Sequence, residues 1–305
     1  MSNFLLEAKR IRVDYAGGYT GLKDVTLRLS QGDMLTVYGE EDAGKTTLLR
    51  TLAGLEEISD GEIILGGKNL KEVPPKIRNL GYTFTAKILG GNKNVIEILS
   101  YPMLLRGFAQ EEAKGKAESI CDEYSIDKSA RVKDLRALDV AKLILARLFS
   151  IERDVYLVDE LIDGLDEKDK DEYYSLLLQK AKGKSVVMVT SDSAFARRAG
   201  ENNLLILHSG EAEGQNSLGE ISKRPRNMTS AQLCGYELFT GLLEERDGVY
   251  FAVLDEDGKR CKTVAPISRV YSGKRVCFAL KEGEVKPFYY DLSSERIISR
   301  EREII

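Results

Sequence analysis

A phosphate-binding loop is the stretch of this chain whose residue types and spacing most directly predict chemistry. Two glycines separated by four residues precede a lysine and a hydroxyl residue, in the order Gly39, Glu40, Glu41, Asp42, Ala43, Gly44, Lys45 and Thr46. In such a loop, backbone N–H groups and the N-terminus of the following helix bind phosphate oxygens. The Lys45 ammonium is then placed for the β- and γ-phosphates, and the Thr46 hydroxyl for Mg²⁺. Together with Thr47, the loop predicts a nucleoside triphosphate site.

An apolar run that ends in two acidic residues supplies the second half of the predicted site. The run 154–158 leads directly into Asp159 and Glu160. We expect Asp159, at the carboxyl end of a strand, to hold the hydration shell of Mg²⁺, and Glu160 to orient or deprotonate the attacking water. Many strands run into acidic loops, so the pair is a weak signal alone. It becomes a strong one behind a phosphate-binding loop.

Composition excludes several classes of protein. The chain has 305 residues, 45 basic and 49 acidic side chains and a net charge of −4, which does not favour a nucleic-acid partner. No apolar run is long enough to cross a bilayer, and the first residues lack a signal-peptide pattern. One histidine, His208, cannot build a metal cluster. The scattered cysteines predict reduced thiols in a cytosolic protein; they are Cys121, Cys234, Cys261 and Cys277.

The elements that must position these groups predict an α/β domain around a largely parallel sheet. Up to about residue 210, apolar strand candidates (34–38, 154–158, 185–190 and 203–207) alternate with helical patterns (45–55, 95–105, 110–123, 139–149 and 168–180). The helices between residues 95 and 149 interrupt the alternation. We therefore expect an inserted helical subdomain over about residues 87–150 within a nucleotide-binding domain of residues 1–222.

After a basic cluster at residues 223–226, the sequence pattern changes from alternating strands and helices to short strands. The runs 249–254 and 260–264 flank Asp257-Gly258, a hairpin turn signal, and further strands are expected at 275–280 and 287–291. We expect a small all-β domain over residues 223–305. The basic cluster itself is interpreted as a solvated boundary.

With these two nucleotide motifs, the chain resembles the ATP-binding subunits of ATP-binding-cassette (ABC) transporters over nearly its whole length. Tyr15, expected ahead of the first strand pair, matches the aromatic residue that stacks on adenine in that family. The other matches are residues 157–160 (the second nucleotide motif), 164–166 (the D-loop), 146–147 (the helix after the signature) and 73–82 (the approach to the Q-loop).

The resemblance implies a P-loop NTPase cassette that binds ATP and Mg²⁺. Residues 224–227 and 287–291 resemble runs in sugar-importer subunits that carry a small OB-like regulatory domain. By this likeness the protein is cytoplasmic, is bound peripherally at the inner face of the cell membrane, works with membrane permease subunits, and imports a sugar or similar solute.

Three positions depart from the family pattern. Thr85 stands where the family has the Q-loop glutamine, Ser191 where it has the switch histidine, and residues 135–139 where it has the signature Leu-Ser-Gly-Gly-Gln. Leu138 in place of a glycine adds bulk where backbone must approach a partner's nucleotide. Ser191 cannot relay a proton as an imidazole does. The chain alone is therefore expected to bind ATP with weak intrinsic ATPase activity.

The departures also predict the partner. In the family, each of two composite sites combines one subunit's phosphate loop with the other subunit's signature, so a homodimer of this chain would carry both defects twice. We expect a heterodimer with a second, intact ABC ATPase subunit. Three alternatives stay open: a catalytically inactive regulatory subunit, a non-transport ABC protein of translation or DNA repair, and a P-loop kinase. Neighbouring permease genes would argue against the last two.

Overall fold

The computed structural model describes residues 4–83, 89–162, 164–247, 249–256, 258, 260–262, 271, 273–281 and 284–297. Its strands in chain order are β1 (Leu6–Asp14), β2 (Thr20–Leu29), β3 (Met34–Tyr38), β4 (Asp60–Leu65), β5 (Lys68–Asn69), β6 (Leu80–Tyr82), β7 (Val155–Val158), β8 (Val186–Thr190), β9 (Leu204–His208), β10 (Glu211–Asn216), β11 (Glu237–Arg246), β12 (Val249–Leu254), β13 (Arg260–Lys262), β14 (Arg275–Lys281) and β15 (Glu284–Tyr290). Its α-helices are α1 (Lys45–Ala53), α2 (Val95–Leu104), α3 (Gln110–Tyr124), α4 (Ala137–Phe149), α5 (Glu167–Ala181), α6 (Ser193–Ala199), α7 (Leu218–Lys223) and α8 (Met228–Leu233).

A six-stranded sheet in the order β10-β9-β3-β8-β7-β6 carries the nucleotide motifs. Its inner strands pair in parallel, and β10 adds an antiparallel edge. Every residue of β7 and of β8 is buried, which is why these strands read as continuous apolar runs in the sequence. The parallel arrangement brings the carboxyl ends of β3, β7 and β8 to one edge, where the phosphate-binding loop and the acidic pair follow.

A second, four-stranded antiparallel sheet in the order β2-β1-β4-β5 lies on the other side of α1. The buried face of α1, with Leu48, Leu49 and Leu52, packs in one cluster with residues of both sheets. This sheet was not predicted from the sequence, because β1 and β2 precede α1 whereas β4 and β5 follow it, so that its strands pair across the helix and break the expected alternation. Tyr15 consequently lies between β1 and β2, and not ahead of the first strand pair as predicted.

Helices α2, α3 and α4 lie between β6 and β7 in the chain, where the helical subdomain was predicted. They share one core cluster with the opposite face of the parallel sheet, through buried residues such as Leu99, Ala117 and Leu145. The side chain of Asn94 and Glu97 form a capping box that fixes the start of α2. The predicted boundaries of the subdomain stay a prediction.

The C-terminal part contains α7, α8 and a five-stranded antiparallel sheet in the order β13-β12-β11-β14-β15. Phe278 and Tyr289 meet edge to face in its core. The division at residue 222 and the OB-like description of this part stay predictions. No helix among the described residues combines the length and apolar character needed to cross a membrane.

Candidate functional site

The phosphate-binding loop connects β3 to α1 through backbone that tolerates few side chains. Gly44 is left-handed, with φ of 98°, and a Cβ at Gly39 would lie 2.5 Å from the carbonyl oxygen of Leu207. Gly44 is also the N-cap of α1, and no side chain caps the helix there. The first N–H groups of α1 are therefore available to an anion, and the helix dipole favours negative charge at the same point.

Lys45 folds back over the loop. Its ammonium donates to the carbonyl oxygens of Gly39 and Glu40, at 2.8 and 2.7 Å. Burial lowers the pKa of Lys45, because a half-buried ammonium loses part of its hydration. The ammonium is thus held at the mouth of the loop, where a phosphate could replace the two carbonyl contacts.

The acidic residues within the loop face solvent. Glu40, Glu41 and Asp42 are exposed, so their charges are screened by water. Asp42 adopts φ of 61°, a left-handed conformation that aspartate tolerates better than most residues. Glu40 also has a long contact, 3.5 Å, with the hydroxyl of Thr229 on α8, so the C-terminal part of the chain touches the loop.

Asp159 lies directly after β7 and faces the start of α1. Its Oδ1 accepts the hydroxyl of Thr46 at 3.4 Å, and its Oδ2 accepts the hydroxyl of Tyr82 at 3.2 Å. The backbone N–H of Asp159 donates to Thr83 at 2.7 Å. Burial raises the pKa of Asp159, because the surrounding protein disfavours its charged form. A cation at this carboxylate would offset that cost.

Glu160 is bound by the residues that follow β8. Thr190 donates its hydroxyl to Oε1 at 2.6 Å, and Ser191 donates its hydroxyl to Oε2 at 2.7 Å. The backbone N–H of Ser191 contacts both carboxylate oxygens, at 3.0 and 2.9 Å, and Tyr174 donates to Oε1 at 3.3 Å. The carboxylate that was predicted to activate water is therefore already an acceptor for several donors, two of them from Ser191, which stands at the position of the family's switch histidine.

Tyr15 lies near the start of α1 as part of an aromatic pair. Its hydroxyl and that of Thr47 are 3.3 Å apart, and its ring packs closely over Gly21. The ring of Tyr19 stacks on it, with centroids 6.0 Å apart, and Tyr19 is 59% exposed. The predicted role of Tyr15 in adenine stacking stays a prediction, and Tyr19 joins it as a second ring that the sequence interpretation overlooked.

The signature positions, residues 135–139, lie at the start of α4. Leu138 is buried in the helical core. Contrary to the prediction, its side chain therefore does not project from the end of the helix. Arg136 and Ala137 are the exposed residues there, and Arg136 pairs with Asp139 at 3.2 Å. Thr85, at the Q-loop position, lies outside the described residues.

His208 contacts residues of the C-terminal part. It ends β9, is mostly buried, and forms a hydrogen bond with Thr229 at 3.1 Å through Nδ1. Its Nε2 lies 3.3 Å from a carboxylate oxygen of Glu295. His208 thus belongs to the contact between the parallel sheet and the C-terminal part.

The residues fit a magnesium nucleotide. The uncapped N-terminus of α1 and Lys45 offer donors for phosphate, and the oxygens of Thr46 and Asp159 are of the kind that Mg²⁺ prefers. Four contributors were missed from the sequence: Tyr82, Thr83, Thr190 and Tyr174. No local pattern marks them, because Tyr82, Thr83 and Thr190 reach the acidic pair through strand pairing and Tyr174 reaches it from α5.

Comparison with known proteins supports the same class. The profile of the ABC transporter family matches residues 22–163. The spermidine/putrescine import ATP-binding protein PotA of Roseobacter denitrificans is 27% identical over 277 residues, covering 88% of this chain and 75% of PotA. The methionine import ATP-binding protein MetN of Helicobacter pylori is 28% identical over 240 residues, covering 76% of this chain and 73% of MetN.

Among solved structures, the dimeric post-hydrolysis state of the ATP-binding cassette MJ0796, bound to ADP and Pi, superimposes with a TM-score of 0.63. The two sequences are 22% identical, and the superposition covers 70% of this chain and 98% of the MJ0796 chain. The fold is therefore that of a P-loop NTPase with an ABC cassette. Together, the family match and these relatives support an ABC transporter ATP-binding subunit.

Proposed function

We propose that this chain is the ATP-binding subunit of an importer and that it binds Mg-ATP but turns it over weakly on its own. The observation that carries the second part is the engagement of Glu160 by Thr190 and Ser191. A general base must offer a free lone pair to water within hydrogen-bond reach. Here the carboxylate lone pairs already accept three hydroxyl groups and a backbone N–H, while Lys45 and Asp159 remain placed for the nucleotide.

The test compares binding with turnover in the isolated chain. We expect Mg-ATP to bind wild type and Glu160→Gln equally well, with hydrolysis near background in both. Adding an intact ABC subunit should raise ATPase activity above that of either protein alone. Robust turnover by the isolated wild-type chain would overturn the proposal, and so would failure to bind ATP.

We further propose that a groove beside the nucleotide site receives a helical segment of a membrane permease. The groove, of about 670 Å³, lies between the end of α1, β6, α2 and α4. Leu105 on its rim is 70% exposed and Tyr101 is 49% exposed, an apolar surface that water does not favour. Among the described residues that line it, the charged ones are all basic: Lys76, Arg106, Arg147 and Arg153.

The charge of the groove indicates what the segment carries. Burial lowers the pKa of Arg147, and Arg147 forms no ion pair within the described part of the chain. A partly desolvated guanidinium is stabilised by a carboxylate that can accept two hydrogen bonds. The matching segment therefore presents apolar residues and at least one acidic side chain.

Copurification with the permease tests the groove. Leu105→Glu and Arg106→Glu should release the permease without altering ATP binding, because both side chains are exposed and lie away from the phosphate-binding loop. Leu292→Glu, at an exposed leucine in the C-terminal part, is the matched control. Retention of the permease by both groove variants would exclude this surface.

The class of the transported solute is proposed from the relatives of this chain. The relatives named above are importers of spermidine/putrescine and of methionine. The sugar specificity expected from the sequence draws no support from them, and we propose only a small organic solute. We also propose that this chain forms a heterodimer with an intact ABC subunit at the cytoplasmic face of the membrane.

A further inference from the structure

Tyr82 connects the proposed permease groove to the proposed Mg²⁺ ligand. It is the last residue of β6, it is partly buried, and it lines the groove alongside Ala53 and Leu148. From there its hydroxyl donates to Oδ2 of Asp159 at 3.2 Å. One side chain thus contacts both sites.

The hydrogen bonds of Asp159 divide between its two oxygens. Oδ1 accepts the hydroxyl of Thr46 and the backbone N–H of Glu160, whereas Oδ2 accepts Tyr82. A donor on Oδ2 restricts rotation of the carboxylate and keeps Oδ1 facing Thr46, the other predicted Mg²⁺ ligand. Groups that orient a metal ligand in this way contribute strongly to metal affinity.

Strand pairing makes Asp159 sensitive to movement of Tyr82. Tyr82 pairs with Leu157 on β7, two residues before Asp159, and the next residue, Thr83, accepts the Asp159 N–H. A tyrosine hydroxyl is protonated at neutral pH, so Tyr82 is a donor to this carboxylate. A group that displaced the ring within the groove would therefore move the donor off the carboxylate.

We propose that Tyr82 is a positioning residue that orients the Asp159 carboxylate for Mg²⁺ and makes this orientation depend on what occupies the groove. The proposal rests on the proposed nucleotide site and permease groove. The Tyr82 hydroxyl would thus connect the groove to the Asp159 carboxylate, a role that the loop motifs do not indicate. In this chain, Thr85 replaces the glutamine of the family's Q-loop.

The first test uses the isolated chain and a fluorescent ATP analogue, mant-ATP, titrated at a series of Mg²⁺ concentrations. Tyr82→Phe keeps the ring and removes only the hydroxyl. The Mg²⁺ concentration for half-maximal binding should rise about 10-fold, the low end for partners of metal ligands, while binding without Mg²⁺ is unchanged. Tyr156→Phe, which removes a buried hydroxyl from the adjacent strand β7, is the control. It should leave the Mg²⁺ midpoint unchanged.

The outcomes distinguish failure of the positioning role of Tyr82 from failure of the nucleotide site itself. An unchanged midpoint in Tyr82→Phe, with normal Mg²⁺ dependence in wild type, would overturn the positioning role alone. Absence of Mg²⁺-dependent binding in wild type would overturn the nucleotide site together with the inference. Because Phe fills the same space, thermal unfolding should show a cooperative transition, and hence a folded chain, for wild type and both Tyr→Phe variants.

The second test uses the purified complex with the permease. Permease binding should shift the Mg²⁺ midpoint of the wild-type subunit and leave that of Tyr82→Phe unchanged, since the variant has no hydroxyl to displace. An equal shift in both complexes would overturn the link to the groove. It would do so without affecting the proposed ATP-binding function.

Discussion

Lys45 is the residue whose charge the nucleotide site most requires. Its ammonium contacts two loop carbonyls, so it is already oriented at the phosphate position. Lys45→Ala should abolish Mg-ATP binding in isothermal titration, because the triphosphate loses its only lysine partner in the loop. Lys71→Ala, at an exposed lysine away from the loop, is the control. Unchanged affinity in Lys45→Ala, with both variants folded, would show that the site is wrongly assigned.

Variants of Tyr15, in the aromatic pair next to α1, distinguish stacking on the adenine base from packing within the protein. Tyr15→Ala should lower ATP affinity by roughly 1–3 kcal/mol, as for other aromatic residues that stack on bases. Tyr15→Phe, which removes only the contact with Thr47, should retain most of that affinity. Calorimetry of nucleotide binding and thermal unfolding are measured on the same samples. If Tyr15→Ala loses stability and affinity to the same extent, Tyr15 is a packing residue of the β1–β2 turn.

At the scale of elements, Arg78 fixes the C-terminal end of α1 and so the angle of the phosphate-binding helix. Its buried guanidinium donates to the carbonyl oxygens of Leu52, Leu70 and Val73, at 3.0, 3.0 and 2.8 Å. Burial lowers the pKa of Arg78, and the carbonyls at a helix C-terminus favour a cation there.

Arg78→Ala should lower the free energy of unfolding by roughly 3 kcal/mol, because it leaves several buried acceptors without a donor. Urea denaturation provides the measurement. The comparison is Arg10→Ala, an exposed arginine paired with Asp24 at the surface, for which we expect less than about 1 kcal/mol. Similar losses in the two variants would mean that Arg78 does not support α1.

The edge strand β10 carries a buried acid against the C-terminal part. Oε1 of Glu213 accepts the backbone N–H of Arg226 at 2.5 Å, so this arginine of the predicted solvated cluster has a structural partner. Oε2 is buried without a hydrogen-bond partner among the described residues. Burial raises the pKa of Glu213, because the charged form loses hydration that it does not fully recover.

This shift predicts the sign of a pH dependence. Between the ordinary glutamate pKa and the raised one, the folded chain holds a proton that the unfolded chain has lost, so the free energy of unfolding falls as pH rises. Glu213→Gln has no proton to lose, and its advantage over wild type should grow with pH through this window. Unfolding at pH 5 and pH 8, with the exposed Glu237→Gln as control, tests this. A constant difference at both pH values would contradict it.

At the scale of the whole molecule, the defects predict division of labour within a heterodimer. Glu160 in this chain is already held by Ser191, whereas an intact partner keeps its own histidine and a free glutamate. In a transport assay, Glu160→Gln in this chain should therefore cost less activity than the equivalent change in the partner. Loss of transport only with the change in this chain would reverse the assignment. An active transporter with this chain as its sole ATPase would exclude the heterodimer.

The contact between the C-terminal part and the phosphate-binding loop is also a property of the whole molecule. Thr229 bonds His208 and approaches Glu40, and the ring of His208 reaches Glu295. The residues of this contact come from separate elements, with Glu40 and Thr229 separated by 189 positions in the chain. The only histidine of the protein thus serves the junction and not the nucleotide site.

The sequence by itself determined the groups whose chemistry depends on neighbours along the chain. The loop at residues 39–46, the strand that leads into Asp159 and the helices 95–104, 110–124 and 137–149 follow from spacing and periodicity, which are local. These predicted the class of fold and the elements that hold the proposed ligands of Mg-ATP. The first antiparallel sheet was not predicted, because its strands pair across α1, with β1 and β2 before that helix and β4 and β5 after it.

Only the tertiary structure decided what the acidic pair contacts. Tyr82 reaches Asp159 across 77 positions and Ser191 reaches Glu160 across 31, and both contacts exist because parallel strands end at a common edge. Leu138 shows the converse: its residue type predicted a steric obstacle, but the direction of α4 turns the side chain into the core. Spacing in sequence specifies which groups are present, whereas sheet order and helix direction decide which of them meet.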